Sequence, residues 1–143
     1  MNWKSEAIDH LNRYEAMVQA TQNIPLELKR LEEAAEGFRS TATENIKVQT
    51  SRSSGEDFLI GNMMLRQNLT RSYRNARIWV DTTDKALTVL PPEEKQILLR
   101  MYIHPEKGSV NQLCEELAVE QSTVYRKRDS ALSRFTIALY GAS

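Results

Sequence analysis

Apolar and polar positions alternate along this chain with a helical period. Between Lys4 and Gln22, the residues Ile8, Leu11, Tyr14 and Val18 recur at steps of three and four, which gathers them on one face of an amphipathic helix. Asn23-Ile24-Pro25 interrupts the run, because Pro25 lacks a backbone donor and suits the first turn of a new helix. A second stripe follows in Leu28, Leu31, Ala35 and Phe38, with Lys29 and Glu33 spaced to pair on the surface. The two runs are predicted to form an antiparallel helical hairpin, since neither hides its stripe alone.

The pattern changes between Arg39 and Gly55, where STATENIKVQTSRSSG is rich in Ser and Thr and has no helical period. It reads as a solvated linker. A long helix is predicted next, capped by Ser54 or Asp57, with Phe58, Leu65, Leu69, Ala76, Val80 and Leu87 on its stripe. Ile78 and Trp79 widen that stripe. A helix of this length needs cover along its face, from the N-terminal hairpin or from a second copy of the chain.

Leu90-Pro91-Pro92 closes the long helix, since a residue before proline is pushed out of the α region. Pro92-Glu93-Glu94 opens another, with acids in the first turn and Ile97, Leu98 and Met101 on its inner side. His104-Pro105-Glu106-Lys107-Gly108 then turns the chain. Leu113, Leu117, Val124 and Leu132 place apolar side chains on the inner faces of two further helices. The pattern between them breaks for only Ala118-Val119-Glu120, the length of the tight turn in a helix-turn-helix. The second of these helices exposes Gln121, Ser122, Tyr125, Arg126 and Lys127, which are donor-rich side chains of the kind that read DNA.

The predicted fold is therefore all-α. Residues 1–90 form a helical hairpin plus long helix for oligomerisation or partner binding, and residues 91–143 form a helix-turn-helix domain. Composition agrees, with 41% hydrophobic residues, 27% charged residues, and only five Gly and four Pro in 143 residues. No apolar run is long enough to span a bilayer, and the N-terminus has no signal-like apolar region. The lone Cys114 excludes an intramolecular disulfide, which fits a reducing cytoplasm. Net charge is zero, yet charge is uneven. Residues 121–135 hold Arg126, Lys127, Arg128 and Arg134 against Asp129 alone, and residues 62–78 hold Arg66, Arg71, Arg74 and Arg77 with no acid.

The order LPPEEKQILLRMY, SVNQLCEELAVEQSTVYR and ALSRF resembles region 4 of sigma-70-type factors and related helix-turn-helix regulators. Joined to a helical N-terminal half, it is similar to small phage late transcription regulators of the ArpU and RinA kind. The motif covers about residues 90–135. In that family pattern Cys114 replaces the usual small Ala, Ala118 replaces the usual turn Gly, Glu120 replaces the usual Ser cap, and Arg128 replaces an aliphatic residue. The resemblance implies sequence-specific binding to double-stranded DNA by a transcriptional activator in a bacterial host's cytoplasm.

On this reading Gln121, Ser122, Tyr125 and Arg126 meet base edges, while Ser109, Asn111, Lys127 and Arg128 hold phosphates. Double-stranded DNA, RNA polymerase and a second copy of the chain are the expected partners, with no membrane. No catalytic group, metal or cofactor is expected. Cys114 reads as a small core residue, His10 and His104 lack a ligand cluster, and Glu32, Glu33 and Glu36 read as a solvated helix face. Phosphate-loop, GxSxG and HExxH patterns are missing, which argues against an enzyme. Two other readings stay open: a terminase-like packaging protein that joins such a domain to an oligomerising part, and a sigma-like adaptor that grips polymerase without reading DNA.

Overall fold

Pro25 does not divide the N-terminal region. In the computed structural model, which describes the backbone of residues 1–44 and 52–143 and the side chains of residues 1–41 and 54–143, one helix α1 runs from Trp3 to Glu44 with Pro25 inside it. The two short helices expected there are therefore one. A proline in a helix interior costs about 3 kcal/mol through its missing N–H and its clash with the preceding turn, so tertiary packing must offset it. The second long helix, α2, spans Arg52–Leu87, so neither Ser54 nor Asp57 caps it. Of the expected linker, residues 39–44 and 52–55 are helical, and the rest lies outside the described residues.

The shorter elements fall close to expectation. They are α3 (Pro92–Leu98), a π-helical turn (Leu99–Ile103), α4 (Ser109–Leu117) and α5 (Gln121–Tyr140). The π turn is closed by the His104 N–H on the Leu99 carbonyl at 2.7 Å. All these elements of the described residues are helical.

Two compact units divide the chain. One comprises Val18–Arg77, in which the end of α1 and the start of α2 pack antiparallel. The side chains shielded there step by three and four on both helices: Thr21, Ile24, Leu28, Leu31, Ala35 and Phe38 on α1, and Leu59, Asn62, Arg66, Leu69, Tyr73 and Ala76 on α2. That spacing is the heptad seam of a coiled coil, and it runs straight past Pro25. Phe38 and Phe58 meet with ring centroids 4.8 Å apart. Asn62, only 5% exposed, donates from Nδ2 to the Leu31 carbonyl at 2.8 Å and accepts from Arg66 Nε at 2.8 Å. This buried amide fixes the register of the pair as a polar seam residue does.

The other unit comprises Met1–Met17 and Ile78–Ser143. Its larger core joins Ala7 and Leu11 of α1, Leu87 of α2, Leu90, Leu98 and Ile103, and Leu132 and Phe135 of α5. The junction expected at Leu90-Pro91 thus lies inside one unit, with Leu90 buried in a core shared by both its flanks. Around this core, Tyr14 donates its hydroxyl to Asp84 at 2.6 Å, and that bond pushes the phenol up to about 12. His10 stacks on Trp79 with centroids 3.9 Å apart, and the Trp79 Nε1–H donates to the His10 carbonyl at 3.1 Å.

Candidate nucleic-acid interface

A smaller core holds the C-terminal helices together. Ile97 of α3, Leu113 of α4 and Val124 of α5 are fully buried against one another, and Met101, Val110, Cys114, Leu117 and Val119 close around them. Cys114 is half-buried here as a packing side chain and carries no disulfide. The three-residue step from α4 to α5 depends on Ala118, which sits at φ 54° and ψ 47°, the left-handed region that favours glycine. The Val119 N–H then reaches back to the Cys114 carbonyl at 3.1 Å, closing α4 with a Schellman-type turn. Glu120 is the extended residue before α5 and makes no side-chain capping bond. The carbonyl of Glu120 instead accepts the Thr123 and Val124 N–H groups at 3.0 and 3.2 Å.

Val124 points inward, so its helical neighbours turn away from the core. Gln121, Ser122, Tyr125 and Arg126 are all exposed on the first turns of α5, in two rows four residues apart. Arg126 lies 3.4 Å from the Thr123 hydroxyl, and among the described residues no carboxylate pairs with it. Tyr125 is partly covered, because the Arg128 guanidinium sits 5.0 Å above its ring. Ser109 is half-buried at the start of α4, just after Gly108 at φ 80°, and Asn111 is exposed two residues further on.

The remaining cations are held by the protein itself. Lys127 is ion-paired with Glu93 of α3, Arg128 with its neighbour Asp129 at 2.9 Å, and Arg134 with Glu94 at 3.4 Å. Those three carboxylates leave a single net positive charge among the four cations of residues 121–135. Glu93 and Glu94 were legible only as helix-dipole acids, and their pairing across to α5 has no signal in linear spacing. A neighbouring open cleft of about 700 Å³ is lined by Arg100, His104, Glu106, Gln112 and Glu116, among others. Arg100 and Glu116 pair across it at 2.8 Å, Gln96 donates to the same carboxylate at 2.7 Å, and Arg100 also donates to Gln112 at 3.3 Å.

Among the described residues, no cluster of His, Cys, Asp and Glu is placed to hold a metal ion, and no helix is long and apolar enough to cross a membrane. No known family model, curated protein or solved structure matches the chain.

Proposed function

We propose that α4, the turn at Ala118 and α5 act as a helix-turn-helix that reads double-stranded DNA, and that the protein is a transcriptional regulator. The observation that carries this reading is the first two turns of α5. Four exposed donor-bearing side chains, Gln121, Ser122, Tyr125 and Arg126, stand on a helix whose opposite side is locked into a three-helix core. Arg126, with no carboxylate partner among the described residues, suits bidentate contact with guanine, and Gln121 suits adenine. Lys127 serves better as a brace of α5 on α3 than as a phosphate contact, and Arg128 is already paired with its neighbour Asp129. Ser109 and Asn111 at the start of α4 retain the phosphate role, and no catalytic group or cofactor enters this reading. The regulator acts as a homodimer, with Phe58, Ile60, Met63, Met64 and Leu65 as its contact, since these are 43–54% exposed on α2.

The test is a selection from random duplexes with the purified full chain. Enrichment of one sequence, as two half-sites about a helical turn apart or a multiple of it, is expected. Recovery of an unenriched pool contradicts the reading.

A further inference from the structure

With three of the four cations in residues 121–135 neutralised in place, the phosphate attraction that DNA binding requires must come largely from elsewhere. The unit formed by Val18–Arg77 carries the candidate surface. Between Phe58 and Val80, α2 contains no carboxylate. At the centre of this stretch is Arg71, whose surface neighbours three and four residues away are Gln67, Asn68, Arg74 and Asn75. All five side chains are exposed, and every one can donate hydrogen bonds. Among the described residues neither Arg71 nor Arg74 pairs with an acid. Such a face offers charge and donors with no acceptor carboxylate to repel an anion.

We infer that this outward face of α2, centred on Arg71 and Arg74, binds the phosphate backbone of nucleic acid, outside the base-reading surface of α5. The inference rests on the DNA-binding reading proposed above. Phosphate is the fitting ligand because guanidinium groups and amides supply donors in the fork geometry that its oxygens accept, without any apolar pocket for a base. Each phosphate neutralised releases counterions, so binding through this face must steepen the dependence of affinity on salt.

The experiment measures fluorescence anisotropy of the full chain on a short labelled duplex of arbitrary sequence, across a salt series. It compares wild type with Arg71→Gln/Arg74→Gln and Arg71→Lys/Arg74→Lys. Removing both charges should flatten the slope of log affinity against log salt by about 1.8 and weaken binding on the order of tenfold at low salt. The lysine pair should keep the wild-type slope, and a loss shared by both pairs would indicate structural damage and overturn the inference. An unchanged slope in the glutamine pair also overturns it, and would leave this face to an acidic protein surface. If the glutamine pair keeps full slope while Arg126→Ala loses sequence preference, this inference fails and the proposed function stands. If wild type binds no duplex at all, both fail together.

Discussion

Ala118 is the residue on which the geometry between α4 and α5 turns, and its left-handed backbone costs an L-residue about 1–2 kcal/mol. Glycine removes that strain but adds about 0.4–1 kcal/mol of unfolded-state entropy to be lost. Ala118→Gly is therefore expected to leave stability level or raise it by up to about 1.6 kcal/mol, whereas a β-branched Val there lowers it by at least about 1 kcal/mol. Urea unfolding of the two variants checks this, and a destabilised glycine variant would contradict it. His10 is the second informative residue. The Thr83 hydroxyl donates to the Trp79 carbonyl at 2.7 Å, so the 3.3 Å contact with His10 requires the imidazole Nδ1 to carry the proton and donate. Burial holds the His10 pKa below its ordinary 6.5, against the pull of Asp9 and Glu6. A lowered folded-state pKa means that the neutral ring's stabilisation is present above pH 6.5 and is lost as pH falls below it. The stability difference between wild type and His10→Gln should shrink as pH is lowered through that range, and a constant difference would refute it.

At the scale of elements, the outcome at Pro25 shows where local and long-range signals compete. Local chemistry alone makes Pro25 a break between two helices. Yet Thr21, Ile24, Leu28 and Leu31 keep the three-four spacing through it, and the seam with α2 prevails. The local penalty remains, so Pro25→Ala is predicted to raise stability by about 1–3 kcal/mol, measured as a higher unfolding midpoint. No gain would mean that α1 is broken there after all. The C-terminal elements are more legible because α3, α4 and α5 are bounded by Pro92, Gly108 and Gly141, residues whose backbone preferences punctuate helices. Of the candidate site, the exposure of Gln121, Ser122, Tyr125 and Arg126 followed from the inward position of Val124. The pairing of Lys127 with Glu93 and of Arg134 with Glu94 did not, because it depends on how α3 crosses α5.

Over the whole molecule, the long apolar stripe of α2 needs cover from the N-terminal region or from a second copy, and a second copy is the more economical expectation. The continuous α1 changes that accounting: Ala76, Val80 and Leu87 are buried and Leu69 half-buried within each chain. Of that stripe and its margin, Phe58, Leu65 and Ile78 remain 43–63% exposed, and the proposed dimer rests on Phe58 and Leu65 with Ile60, Met63 and Met64 beside them. Met64→Asp with Leu65→Asp should convert a dimer to a monomer by mass in solution without loss of helical content. A wild-type monomer at high concentration would remove the dimer from the account. The central claim, that α5 reads bases, has a more direct test in Arg126. Affinity is measured for wild type and Arg126→Ala on a selected duplex and on a scrambled one at the same salt concentration. The account predicts a loss of about 1–3 kcal/mol on the selected duplex with the scrambled duplex nearly unchanged. Equal losses on both duplexes would make Arg126 a phosphate contact and contradict the claim.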